Sequence, residues 1–164
     1  MLFRLTTTTI NHILWLMVLL LVLLGVFSPA RAESRLNEQT LDYYISAASA
    51  YHQIDPALLR ALIWQESRRN HKAISPKGAT GYTQLMPGTA KDLGVNFLNP
   101  WENIFGGAAY LRKMLNRYNN QIPLALAAYN AGPERVKEAI PNIPETRYYV
   151  AVVLFYYDWY RQNT

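Results

Sequence analysis

The chain has 164 residues, 51% of them hydrophobic, 13% aromatic and 16% charged, with a net charge of +5 and no cysteine. That length suits one globular domain, and the missing cysteines exclude a disulfide framework, a thiolate metal site and a lipidated N-terminal cysteine. The basic residues are spread along the chain without interleaved blocks, which suits an anionic polymer or surface and argues against nucleic acid as a partner.

Residues 1–32 read as a signal peptide. Arg4 gives a short basic start, "ILWLMVLLLVLLGVF" (13–27) is an uninterrupted apolar run, and Ala30-Arg31-Ala32 offers a cleavage pattern. The run is shorter than the ~20 residues a membrane span prefers. The expected product is a periplasmic domain of residues 33–164 with a net charge of +3. An uncleaved segment would instead anchor the same domain to the inner membrane. Beyond residue 32 the sequence holds no run that could span a bilayer.

"NEQTLDYYISAASAYHQI" (37–54) predicts a first helix, with Leu41, Tyr44, Ile45, Ala48 and Tyr51 at helical spacing. Asp55 can cap a second helix that Pro56 opens, running to about Arg69. Pro76, Gly78 and Gly81 forbid a continuous helix over 70–85. A short helix over 87–93 should end at Gly94, and a longer one over about 102–119 carries Ile104, Ala108, Leu111, Leu115 and Tyr118 on one face. Pro123 opens a compact segment that Gly132-Pro133 interrupts; "PERVKEAI" (133–140) predicts a further short helix, and 145–161 a closing one. No alternating pattern appears, so the fold class is mostly α, one helical globular domain after the signal, expected to be a monomer.

One acid stands out on the second helix. At a helical turn of about 100° per residue from Leu58, Leu62 falls at about 40° and Leu59 at about 100°. Glu66 falls at about 80°, inside the apolar arc, while Arg60 and Arg68 lie on the outer side. Either the helix emerges there and the carboxylate is paired with Arg69 or another base, or the apolar face walls a cleft. In a cleft, low dielectric would raise the pKa and make a proton donor near neutral pH. Groups suited to a hydroxyl-rich polymer occur elsewhere: Ser75, Gln84 and Met86 around two glycines, Tyr129 and Asn130 at a helix end, and Glu145 with a tyrosine pair.

Glu66-Ser67, "SPKGATGYTQLMPGTA" (75–90), "AAYNAG" (127–132) and "ETRYYV" (145–150), in this order, resemble the soluble lytic transglycosylase (SLT) domain family. The resemblance runs from about residue 40 to the C-terminus. It implies a lysozyme-like helical fold with a substrate cleft, and cleavage of peptidoglycan glycan strands between N-acetylmuramic acid and N-acetylglucosamine. Carried over, it makes Glu66 the catalytic acid/base and gives Ser75 a contact with the N-acetyl group or the acid's surroundings. Gln84 and Met86 would line sugar subsites, Tyr129 would stand close to the carboxyl with Asn130 beside it, and Glu145 and Tyr149 would stand on the far side of the cleft. Glu145, after Pro144, equally suits a helix N-terminus. The family often has Gly-Leu-Met-Gln where this chain has Gly81-Tyr82-Thr83-Gln84, and Thr83 adds a hydroxyl that needs a partner.

Most glycosidases use two carboxylates; here only Glu66 is evidently inward, with Glu145 the one candidate for a second. The resemblance implies a non-hydrolytic route to 1,6-anhydro ends. A lysozyme-type hydrolase or a non-catalytic glycan-binding accessory are the alternatives, and the user of such an enzyme could be a secretion, pilus or conjugation apparatus. His52 and His71 stand apart, so no metal and no cofactor is expected.

Overall fold

The computed structural model describes residues 11, 12, 15–17, 19, 20 and 29–163, with the backbone alone for 29–36. Most of the apolar run of the expected signal peptide lies outside the described residues, and among those described no helix is long and apolar enough to cross a membrane. The chain divides into two units, residues 1–42 and 43–164. The site lies wholly in the second.

Six helices carry the described fold: α1 (Pro29–His52), α2 (Pro56–Ser67), α3 (Pro87–Leu93), α4 (Pro100–Arg117), α5 (Ile122–Ala131) and α6 (Pro144–Asn163), with a 3₁₀ turn at Pro133–Arg135. No strand occurs among the described residues; two isolated bridges, Ile74 with Thr80 and Thr80 with Leu85, pin the loop between α2 and α3.

The helix ends explain where the sequence reading overran. α1 stops at His52 because Gln53 turns left-handed (φ 54°), with Gln53 N bonded to Ala50 O and Ile54 N to Ser49 O. That is the double closure usually built on glycine, so the sequence carried no visible stop. Asp55 caps α2 as expected, its Oδ1 accepting from Ala57 N at 2.9 Å. The helix ends at Ser67, two residues early, because Arg68 and Arg69 both take positive φ. Gly94, left-handed at φ 69°, ends α3 where predicted. Asn99 caps α4 through Trp101 N and Glu102 N, which moves its start back to Pro100.

The expected helix over 133–140 does not form beyond Arg135. Tyr118 Oη lies within hydrogen-bond distance of both the Pro133 and the Val136 carbonyls, at 3.1 and 2.9 Å. These are acceptors a continuing helix would need, and Val136 is extended instead.

The core has two apolar helices at its centre. Leu58, Leu59, Leu62 and Ile63 of α2 are buried, as are Leu124–Ala128 of α5. A helix apolar on nearly every side must be surrounded, and α5 packs against both α4 and α6, while α2 packs against α6. Burial of Leu62, 0% exposed, contributes about 2 kcal/mol, and truncation to Ala costs about 2–5 kcal/mol. The α2–α6 packing brings the end of one helix, Glu66, to the start of the other.

Candidate active site

Glu66 sits on the last turn of α2. Its Oε1 accepts a hydrogen bond from Tyr149 Oη on α6 at 2.6 Å. By surface area the residue is half-buried: it retains an opening to solvent, while its carboxyl is packed round by protein. Burial pushes that carboxyl up from its ordinary 4.5 to about 7, against the opposing pull of the Tyr149 hydrogen bond. Among the described residues, burial and the Tyr149 hydrogen bond are what set this carboxyl, and no charged side chain contributes, so the pairing with Arg69 considered from sequence is not what holds it. Tyr149 itself is buried, and burial together with the nearby Glu66 charge raises its phenol well above 10. It stays a neutral donor. The sequence reading had set Tyr149 across the cleft; the structure corrects this, because the α2–α6 packing lays it directly on the acid.

After α2 comes the loop of residues 70–86. Ser67, next to the acid, donates to Tyr82 O at 2.9 Å and lies 3.1 Å from Ile63 O, tying this loop to α2. Thr83 occupies the centre of the loop and is fully buried. The partner its hydroxyl needs is Asn103 of α4: Thr83 Oγ1 lies 2.9 Å from both Asn103 O and Oδ1, and Thr83 N donates to Oδ1 at 3.0 Å. Asn103 Nδ2 in turn donates to Thr80 O at 2.8 Å and Phe97 O at 2.9 Å. One buried amide therefore ties two irregular segments, the 70–86 loop and the turn at Phe97, to α4. Glycines make the close approach possible. A Cβ at Gly81 would come within 2.4 Å of the Asn103 side chain, and one at Gly107 within 2.4 Å of Thr83.

This fixed loop aims the remaining groups. Tyr129 Oη donates to Thr83 O at 2.9 Å, and burial plus the nearby Glu66 charge raises its phenol well above 10. Tyr129 thus lies within electrostatic reach of the acid. Gln84, held at φ 47°, donates through Nε2 to Ala73 O and Gly81 O, both at 3.0 Å, leaving its carbonyl oxygen as the amide atom for a ligand. Asn130 Oδ1 accepts from Thr146 Oγ1 at 2.8 Å, which leaves Nδ2 as its free donor. Gln84, Met86, Tyr129 and Asn130 line one cavity of about 330 Å³, with Lys77, Thr89 and Tyr110. It adjoins Glu66 through Tyr129 without including the carboxylate, as a sugar subsite beside a proton donor would.

Two expected site residues are placed otherwise. Ser75 Oγ accepts from Ala79 N at 3.0 Å within its own turn, and no bond among the described residues joins it to the acid. Glu145 is exposed on the first turn of α6, the helix-end position its sequence context also allowed. Sequence reading missed Asn103, Thr146, Lys77 and Tyr110. For Asn103 a signal existed: a polar residue one turn before Gly107, beside the apolar face of α4.

Residues 43–150, well over half the chain, match the family model of the transglycosylase SLT domain. The chain is 48% identical over 89 residues to the "Transglycosylase" of Enterobacteria phage PRD1, covering 54% of this chain and 33% of that one. It is 40% identical over 116 residues to the membrane-bound lytic murein transglycosylase F of Saccharophagus degradans, covering 66% and 23%. The chain thus spans only a quarter to a third of the length of these curated relatives. Among solved structures, an inactive glutamate-to-glutamine mutant of the lytic transglycosylase Slt from Pseudomonas aeruginosa superposes with a TM-score of 0.67 at 32% identity, over 74% of this chain and 24% of that one. The 70-kDa soluble lytic transglycosylase of Escherichia coli gives 0.66 at 33% identity, over 73% and 24%.

Proposed function

The chain belongs to the transglycosylase SLT domain family, and we propose that it cleaves peptidoglycan glycan strands without water, with Glu66 as the sole proton carrier. One observation carries this reading: a carboxyl raised to about 7 by burial, oriented by a neutral phenol and shifted by no other acid. At neutral pH a large share of Glu66 is protonated and able to donate to the bridging oxygen between N-acetylmuramic acid and N-acetylglucosamine. The substrate's 2-acetamido group shields the developing oxocarbenium centre. The Glu66 carboxylate, held by Tyr149, then takes the proton of the muramyl C6 hydroxyl as that oxygen attacks C1. The product is a 1,6-anhydro end.

The names of the relatives support the same chemistry, since those from bacteria are lytic murein transglycosylases. The reading places the domain outside the inner membrane, where gaps in the wall would serve a secretion, pilus or conjugation apparatus. Digestion of purified sacculi tests it. Mass spectrometry should find anhydro-muropeptides, lighter by one water than reducing ends, and Glu66→Gln should bind strands without cutting them. Reducing ends would make the protein a lysozyme-type hydrolase; sacculi left intact by the wild-type chain would make it a binding module.

A further inference from the structure

The cavity beside Glu66 has one charged lining residue, Lys77, among amide, hydroxyl, aromatic and apolar groups. No acid lines it. Lys77 has no ion pair or hydrogen bond among the described residues, and its side chain is exposed. Its backbone, in contrast, is firmly held. Gly78 N donates to Ser75 O at 2.9 Å, Ser75 N to Ala79 O at 2.8 Å, and Ala79 N to Ser75 Oγ at 3.0 Å. Pro76, the residue before Lys77, has its φ fixed by its ring, and Gly78 after it takes φ +84°, where a side chain would be strained. Ser75 therefore serves the cleft indirectly, by building the turn that presents Lys77. A fixed backbone at the cavity rim means that a ligand orders only one side chain on binding.

A neutral, amide-lined sugar cavity with one unpaired cation at its edge fits a glycan that carries an anionic substituent. We propose that Lys77 is a specificity-determining residue that receives a carboxylate borne by the muramyl units, a proposal resting on the glycan-cleaving function assigned above. Two sources share this chemistry. In a peptide-free strand the lactyl ether of the muramyl residue ends in a free carboxylate. In a peptide-bearing strand that carboxyl is an amide, and carboxylates lie farther out on the stem. N-acetylglucosamine oligomers carry neither.

Calorimetric titration of three probes into the Glu66→Gln chain, with and without Lys77→Ala, Lys77→Arg or Lys77→Glu, separates the cases. The probes are a N-acetylglucosamine tetramer, a peptide-free glycan strand and a peptide-bearing one. Lys77→Ala should weaken at least one carboxylate-bearing strand roughly three- to tenfold, Lys77→Glu should weaken it more, and Lys77→Arg should restore it. The neutral tetramer should be unaffected, and the strand that responds identifies the carboxylate. In the Glu66 chain Lys77→Ala and Lys77→Glu should raise KM and leave kcat unchanged, while Lys77→Arg should keep KM near that of the wild type. Equal weakening of all three probes, or no weakening by Lys77→Glu, overturns the proposal. If sacculi still yield anhydro ends in that event, only the Lys77 assignment falls. If strands bind with the expected charge dependence but are not cut, only the cleavage reading falls; if no strand binds the wild-type chain, both do.

Discussion

Tyr149 and Glu66 are 83 residues apart in sequence and joined by a 2.6 Å hydrogen bond. The phenol donates to the carboxylate, which favours the charged form, while burial favours the neutral one; burial is the larger effect. The acid's working pKa is therefore a balance between two features of the fold, one of which a single atom can remove.

Tyr149→Phe removes the group that lowers the Glu66 pKa. In the wild-type chain, kcat/KM for glycan cleavage should hold up to pH about 7 and then fall about tenfold per unit as the donor ionises. In the variant that alkaline limb should move to higher pH by about half a unit or more. The rate on the plateau should drop on the order of tenfold, because the carboxyl loses its orienting partner. A limb that stays in place would show that Tyr149 does not set the acid's protonation.

The raised pKa also makes Glu66 a stability liability with a definite pH dependence. In the unfolded chain the group titrates near 4.5, in the folded one near 7. The folded state thus binds more protons between these values, and stability falls as pH rises through that window. Glu66→Gln, which mimics the neutral acid, should match the wild type near pH 4 and exceed it by about 2–3 kcal/mol above pH 7.5. Denaturant unfolding at the two pH values measures the difference. A pH-independent gap would mean that the carboxyl is not held neutral by burial.

Glu66 was legible in the sequence because helical periodicity is local: a few residues of α2 suffice to place it in the apolar arc. Asp55 and Gly94 were written in the same short-range code of caps and stops, whereas the Asn99 cap went unread. What the sequence did not show was made by tertiary contact. The resemblance set Tyr149 across the cleft, and nothing near 149 in sequence says that α6 packs on the end of α2. Residues 136–140 read as helix because their propensity is helical, while Tyr118 occupies the carbonyls from another segment. Thr83 posed the right question, a hydroxyl in need of a partner, but the answer lies 20 residues on, at Asn103.

Asn103→Ala tests that answer. The substitution strips the Phe97 carbonyl and the Thr83 amide of their partners and leaves the Thr80 carbonyl with Leu85 N alone, in a site only 1% exposed. Two polar groups left unpaired and a third reduced to one partner should cost about 2–4 kcal/mol in thermal or denaturant unfolding. A loss below about 1 kcal/mol would mean that the loop does not depend on the amide.

Gly107→Ala gives a prediction of opposite sign to the usual rule. Inside a helix this change ordinarily stabilises by about 1 kcal/mol, since alanine restricts the unfolded chain and favours helix. Gly107 lies within α4, yet its added Cβ would meet the Thr83 Cβ, Oγ1 and Cγ2 at 2.4–2.5 Å. Thr83 cannot swing away without breaking its bonds to Asn103 and shifting the carbonyl that holds Tyr129. Overpacking should therefore outweigh propensity and destabilise the chain by about 1–3 kcal/mol. Because the strain falls on the loop, glycan cleavage should suffer as well. Pairing Gly107→Ala with Thr83→Ser, which keeps the hydroxyl and removes the methyl, should recover part of both losses. A stabilised single variant with full activity would show that the loop is not seated on this glycine.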